Sequence, residues 1–262
     1  MDCEDGLERL RAWMRGRSGM AIAYSGGVDS TLLAAVAAEQ APGGYQAFYV
    51  DLPYISRMQR RAALETAEAL DLDLVTLPAE NQEFEAVRRN DRGRCYHCKA
   101  IIYDMVSMAA RQRGLGTIVD GENPGDEDDV RPGRVAARER GVISPLVELG
   151  IGRDAVESMV KHMGLPVRLS KESCLATRLE PGAPWDDALL DRIERAESFL
   201  HEMGVGQARV RVSGDDARIE VAPADMAMLA GMGRKVHTRL RELGFRHVSL
   251  DLKGYRSGSM WE

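Results

Sequence analysis

Hydrophobic and polar positions in the first two thirds of the chain alternate between short apolar runs and longer stretches of helical period. Met20–Tyr24, Tyr45–Leu52, Leu72–Leu77 and Thr117–Asp120 are short runs, and each predicts a buried strand, with Val142-Ile143 as a candidate fifth. Thr31–Glu39, Ser56–Leu70, Cys98–Arg113 and Gly152–Met163 repeat their apolar residues every three to four positions and predict helices. Ser56 stands where an N-cap belongs, and Pro42-Gly43-Gly44 reads as a turn. Strands alternating with helices predict an α/β fold, a parallel sheet with helices on both faces. In such sheets ligands sit beyond the C-terminal ends of the strands. Ser25–Ser30, Asp51 and Asp120–Asn123 all fall there.

The pattern changes after Pro181. Asp186–Met203 predicts one long helix, and Gln207–Ser213 and Ala217–Val221 alternate around a Gly214-Asp215-Asp216 hairpin turn. Pro223–Leu243 reads as helical and His247–Leu252 as a last strand. This is an α+β unit in which antiparallel pairing is expected. The boundary is placed at Leu179–Pro184, giving expected domains at 1–180 and 181–262.

Ser25-Gly26-Gly27-Val28-Asp29-Ser30 joins the first strand to the first following helix. A strand, a glycine turn and a helix start aim backbone N–H groups and a positive helix end at one spot, which suits phosphate. Gly26 and Gly27 let the main chain approach the anion without a Cβ in the way. Ser25 and Ser30 add hydroxyl donors, and Asp29 is the candidate ligand for the Mg2+ that accompanies a triphosphate. The Gly-Lys-Ser/Thr ending of a Walker A loop is absent. Ser-Gly-Gly-x-Asp-Ser instead resembles the PP-loop of the ATP pyrophosphatases. That resemblance implies cleavage of ATP between the α and β phosphates, with AMP moved onto an acceptor.

Among 262 residues, 44% are hydrophobic and 29% charged, as in ordinary globular proteins. Lys and Arg number 35 against 41 Asp and Glu, a net charge of −6, which weighs against a binder of nucleic-acid backbones. No apolar run is long enough to span a membrane, and Met1–Arg17 is charged and amphipathic without a signal-peptide core. A cytoplasmic location is therefore the expectation.

The cysteines are Cys3, Cys95, Cys98 and Cys174. Cys95-Tyr96-His97-Cys98 opens a predicted helix, and Cys174 lies in Ser173-Cys174-Leu175-Ala176-Thr177-Arg178. Three chemistries compete: structural zinc with His97 as a fourth ligand, a redox dithiol at a helix N-terminus, and a three-cysteine iron–sulfur cluster with one open iron. Cys3 stands in a terminus read as loose, and no role is assigned to it.

Several segments taken in order resemble the LarE family of ATP-dependent sulfur transferases across nearly the whole chain. They are the Ser25–Ser30 loop, Arg94–Lys99, Asp120-Gly121-Glu122-Asn123, Arg131-Pro132-Gly133, Ser144-Pro145-Leu146, Cys174–Arg178, Arg209-Val210-Arg211 and Gly254–Met260. The resemblance implies adenylation of a carboxylate on a pyridinium dicarboxylate mononucleotide, loss of pyrophosphate, and displacement of AMP by sulfur to give a thiocarboxylate. This chemistry belongs to nickel-pincer nucleotide assembly. In single-cysteine members the residue matching Cys174 gives up its own sulfur. In three-cysteine members a 4Fe–4S cluster on residues matching Cys95, Cys98 and Cys174 carries a labile sulfide, and this chain has all three.

On that basis Cys174 and Asp29 are the expected catalytic residues. Ser25, Gly26, Gly27, Asp29, Ser30, Asp51, Arg57 and Asp120 are expected to hold ATP. Arg209 and Arg211, two apart on a strand, share one face, either as a clamp on substrate phosphate or as solvated arginines. The family often carries Thr where Glu122 stands, and a carboxylate there is a candidate partner of Asp29 on magnesium. The segment Arg168–Glu172 also departs from the family pattern. Tyr54 follows the second strand as an adenine contact or a surface residue, and Asp126–Asp129 reads as a solvated acidic run. The expected partners are a small nucleotide substrate and a sulfide donor, with a homo-oligomer as a further expectation and neither nucleic acid nor membrane. The competing readings are a PP-loop tRNA thiolase, an amide-forming ligase, and a metal-stapled nucleotide-binding module without turnover.

Overall fold

The computed structural model describes residues 2–41, 44–79, 84–124, 132–167, 173–256 and 260. Helix α1 (Cys3–Arg15) precedes β1 (Met20–Ala23), and the chain then alternates through α2 (Val28–Gln40), β2 (Tyr45–Asp51), α3 (Arg57–Ala69) and β3 (Leu74–Pro78). Next come α4 (Glu85–Arg88), α5 (Arg94–Gln112), β4 (Thr117–Val119), α6 (Pro132–Glu139), α7 (Pro145–Glu148) and α8 (Arg153–His162). The four strands form one parallel sheet in the order β3-β2-β1-β4, with Met20 opposite Tyr45 on one side and Thr117 on the other. The candidate fifth strand shrinks to a parallel bridge between Val119 and Ile143. Pro42-Gly43, Asp126–Asp129, Arg131, Arg168–Glu172 and Ser257–Ser259 lie outside the described residues.

Local sequence explains the central elements. Helix α2 buries Val28 and every residue from Ser30 to Ala37, because its small and apolar residues run around its whole circumference. It packs with α1 and α8 into a core with Leu7, Leu10, Met14, Leu32, Val36, Val156 and Met159. Cys3, read as part of a loose terminus, is the first residue of α1 and is half-buried against this core. Ser56 caps α3 through a reciprocal box: its hydroxyl accepts from the Gln59 N–H at 3.2 Å, and its own N–H reaches the Gln59 side chain at 3.4 Å.

The chain divides into two compact units, Met1–Phe84 with Cys95–Glu172, and Glu85–Arg94 with Ser173–Glu262. The second unit thus takes in Ser173–Glu180 and a short upstream piece as well as the residues after 181. Backbone hydrogen bonds tie that piece in: Gly182 N–H to Asn90 C=O at 2.8 Å and Trp185 N–H to Arg88 C=O at 3.2 Å. The second unit holds a 3-10 turn at Leu175–Arg178, then α9 (Asp187–Glu202), β5 (Ala208–Ser213), β6 (Asp216–Val221), another 3-10 turn at Pro223–Asp225, α10 (Met226–Gly231), α11 (Gly233–Glu242) and β7 (His247–Leu250).

Three sequence expectations change here. Asp216 pairs with Ser213 inside the ladder, so the hairpin loop is Gly214-Asp215, with Gly214 at φ +59°. The predicted helix Pro223–Leu243 breaks at Met232 into α10 and α11. Strand β7 runs parallel to β6, not antiparallel, because the two helices carry the chain back across the sheet before it pairs. Among the described residues no helix is long and apolar enough to cross a membrane.

Candidate functional site

The loop between β1 and α2 is fixed from below by α3. The Tyr24 hydroxyl donates to the Ala63 carbonyl at 3.0 Å. Gly26 takes φ +75°, and a Cβ there would lie 2.2 Å from the Ala63 Cβ. Gly27 caps α2 in extended conformation. The Ser30 hydroxyl accepts from Ser25 N–H at 3.2 Å and donates to the Gly27 carbonyl at 3.2 Å, while Gly27 N–H reaches Ser25 Oγ at 3.3 Å. Both serine side chains therefore shape the loop from within, and Ser25 and Gly27 form its exposed rim at the positive end of α2. A glycine loop at a helix start of this kind has the chemistry to receive an anion.

The turn after β4 lies directly against this helix start. A Cβ on Gly121 would meet the Ser30 backbone nitrogen at 2.7 Å and the Asp29 Cβ at 3.0 Å, so only glycine admits the approach. Asp120 is buried and accepts from the Tyr103 hydroxyl, from the Ser144 hydroxyl at 2.7 Å and from Glu122 N–H at 3.2 Å. Burial, and then the Asp120 charge, push the Tyr103 phenol far above its ordinary range, so Tyr103 remains a donor. The Asn123 side-chain amide donates to Asp29 Oδ1 at 2.8 Å. From α6, Arg134 Nε pairs with the Glu122 carboxylate, and Nη2 donates to the Asn123 carbonyl at 3.3 Å.

These contacts bring together Ser25, Gly26, Gly27, Asp29, Ser30, Asp120 and Glu122 in the first unit. Asp29 lies on the first turn of α2, is oriented by Asn123, and offers the carboxylate oxygens that magnesium favours. Glu122 is engaged by Arg134, so ligation of magnesium by Glu122 requires exchange of that ion pair. Asp51, at the end of β2, pairs with Arg60 at 2.8 Å, and Arg57 is exposed at the start of α3. Tyr54 is no surface residue: it is buried, with its ring edge-on to Phe84 at 5.5 Å. Tyr103, Arg134 and the amide of Asn123 were not singled out by sequence. Asn123 and Ser144 stood in recognised segments, whereas Tyr103 sits on an apolar helix stripe that carries no such signal.

Cys95 and Cys98 lie in the first turn of α5 at a spacing that puts both on one helix face, with Cys95 exposed and Cys98 half-buried. His97 stacks edge-on with Tyr96, whose hydroxyl donates to Glu139 at 2.5 Å. Cys174 belongs to the second unit and caps the turn Leu175–Arg178. Among the described residues no group of three or more His, Cys, Asp or Glu is arranged to hold a metal ion. Thiols have the donor chemistry of an iron–sulfur cluster.

The Cys174 turn is held by a buried cation. Arg178 is 1% exposed and pairs with Glu197 through Nε and Nη2, both at 2.9 Å. Its Nη1 donates to the carbonyls of Ser173 at 2.9 Å and Cys174 at 3.1 Å. Arg209 and Arg211, weighed as solvated arginines, are 1% and 6% exposed. Arg211 pairs with Glu220 at 2.9 Å and donates to the Thr177 carbonyl at 3.0 Å, and Arg209 lies 5.5 Å from the Tyr255 ring centre. Burial lowers the Arg211 pKa, partly offset by Glu220.

Residues 9–122 match the asparagine synthase family, a span that includes the Ser25–Ser30 loop and ends inside the Asp120–Asn123 turn. The chain is 34% identical to an uncharacterized protein of Synechocystis over 98% of its own length and 97% of the relative's. It is 29% identical to the pyridinium-3,5-bisthiocarboxylic acid mononucleotide synthase of Lactiplantibacillus plantarum, over 91% of this chain and 87% of that one. An uncharacterized protein of Methanocaldococcus jannaschii is also 29% identical, over 90% of each chain.

Proposed function

The chain belongs to the LarE family of PP-loop ATP pyrophosphatases and is an ATP-dependent sulfurtransferase, and from that premise we propose that it makes a thiocarboxylate on a pyridinium dicarboxylate mononucleotide. The carrying observation is the Ser25–Ser30 loop with Asp29 held by Asn123, in a chain similar along nearly its whole length to a synthase of that product.

In this reading Ser25, Gly26, Gly27 and Ser30 cradle the phosphates of ATP, Asp29 holds Mg2+, and Asp51, Arg57 and Asp120 complete the nucleotide site. Mg2+ when bound offsets phosphate charge during attack. A substrate carboxylate oxygen attacks the α-phosphorus, the bond to the β-phosphate oxygen breaks, and pyrophosphate leaves. A sulfur nucleophile then adds to the acyl carbon, and AMP departs with the former carboxylate oxygen. We assign sulfur delivery to Cys174 and substrate-phosphate binding to Arg209 and Arg211. Cys95, Cys98 and Cys174 are the proposed ligands of a 4Fe–4S cluster, which when bound would supply a labile sulfide replenished by a sulfide donor.

The test is anaerobic incubation of the purified protein with ATP, Mg2+ and the dicarboxylate mononucleotide. Matched formation of AMP and pyrophosphate with a thiocarboxylate product is expected. Iron and sulfide at roughly four per chain, reduced in Cys174→Ala, would support the cluster. Stoichiometric zinc would overturn it in favour of a structural site. Loss of hydrogen sulfide mass from Cys174 after one turnover would replace the cluster with a sacrificial cysteine. Turnover only with tRNA as acceptor, or no pyrophosphate at all, would overturn the substrate assignment.

A further inference from the structure

Asp29, Asp120 and Glu122 share one corner of the first unit, at the start of α2. A triphosphate is strongly anionic, so three carboxylates beside its cradle oppose its arrival unless their charge is managed. Asp120 is buried and accepts three hydrogen bonds from Tyr103, Ser144 and the Glu122 N–H. Asp29 is oriented by Asn123. Glu122 has 15% of its side chain exposed, and its carboxylate is matched by Arg134, of which 30% is exposed. The same guanidinium also reaches the Asn123 carbonyl. One arginine thus grips both the Glu122 carboxylate and the main chain of the residue that orients Asp29. A planar fork can make those two contacts together, whereas an ammonium cannot match both directions.

We propose that Arg134 and nucleotide-bound Mg2+ exchange on Glu122. In the nucleotide-free protein Arg134 holds the Glu122 carboxylate. When ATP seats with its metal, Arg134 transfers to a phosphate oxygen and Glu122 turns to the metal beside Asp29. Glu122 is then a conditional ligand: the corner binds divalent cations weakly when empty and takes metal and nucleotide together. The proposal rests on the ATP-site reading of the loop and names how that site is gated.

Mn2+ binding to the full-length, nucleotide-free protein, followed by electron paramagnetic resonance, tests it apart from sulfur transfer. Arg134→Met releases Glu122 and is expected to tighten Mn2+ binding at least tenfold, and Glu122→Gln added to it cancels the gain. Binding of α,β-methylene-ATP without divalent metal should weaken about tenfold in Arg134→Met and strengthen in Glu122→Gln, which frees the arginine. Unchanged Mn2+ affinity in a folded Arg134→Met protein overturns the exchange. So does a shift of nucleotide affinity in the same direction in both single variants, the mark of a structural brace. Should Arg134→Met not fold, the Glu122→Gln nucleotide arm decides alone. Asp29→Asn tests the underlying site: if it leaves Mg2+-dependent nucleotide binding intact, the ATP-site reading itself fails.

Discussion

Gly26 stands directly on Ala63: a Cβ built on Gly26 would lie 2.2 Å from the Ala63 Cβ and 2.6 Å from its Cα. The Ser25–Ser30 loop is therefore seated on α3, whose start is fixed by the Ser56–Gln59 box. Sequence distance hides this relationship, yet it selects glycine twice. Gly26 needs φ +75°, and it has no room for a side chain.

Gly26→Ala is accordingly expected to destabilise the protein by about 2–5 kcal/mol, combining left-handed strain of about 1–2 kcal/mol with overpacking of about 1–3 kcal/mol. Urea unfolding measures the loss. Ala63→Gly in the same chain should recover the packing part and leave the strain. Gly27→Ala is the control, since Gly27 has no positive φ and its Cβ would meet only Ser25 Oγ, at 3.3 Å. Equal destabilisation by both substitutions would refute the argument.

Much of this site was legible because its signals are local. The Ser25–Ser30 loop, its strand and its helix occupy about twenty consecutive residues, and Ser56 with Gln59 writes its own helix start. What escaped depends on remote partners. Arg209 and Arg211 alternate with apolar residues as solvated side chains do, but Glu220, Tyr255 and the Thr177 carbonyl come from elsewhere in the chain to surround them. Tyr54 reads from sequence as an adenine contact or a surface residue because Phe84, the ring it packs against, lies beyond β3. Strand β7 has no local mark of direction: its polarity follows from the α10–α11 crossover. Arg134 announced itself by no motif, and only the fold brings it to Glu122.

The Arg178–Glu197 pair makes a separate prediction about the Cys174 turn. Its side chains are 2% and 8% exposed, and Glu197 also accepts from the Val210 N–H at 2.9 Å. Arg178→Met would strand a buried carboxylate and is expected to cost about 3–5 kcal/mol, by chemical denaturation. Adding Glu197→Leu removes the stranded charge and should restore most of that stability. It should not restore the hydrogen bonds to the Ser173 and Cys174 carbonyls. The double variant is therefore expected to fold while its Cys174 reacts faster with iodoacetamide than in the wild type. An unchanged alkylation rate would show that Arg178 stabilises the unit without positioning the cysteine.

The tyrosines around the first sheet predict how stability depends on alkaline pH. Tyr49 is 4% exposed and its hydroxyl has no hydrogen-bond partner among the described residues. Burial, then repulsion from Asp51, pushes its phenol from 10.0 up to about 12. Burial raises Tyr24, Tyr45 and Tyr103 as well. Because the folded pKa lies above the unfolded one, the fold favours the neutral phenol. That contribution is fully present below pH 10 and is lost progressively as pH rises from 10 towards about 12. Urea midpoints should therefore fall steeply over that window. Tyr49→Phe cannot ionise and loses no hydrogen bond to the described residues, so it should nearly match the wild type at about pH 8 and surpass it at about pH 11. Parallel curves for the two proteins across that range would mean that the Tyr49 phenol ionises as readily in the fold as in the unfolded chain.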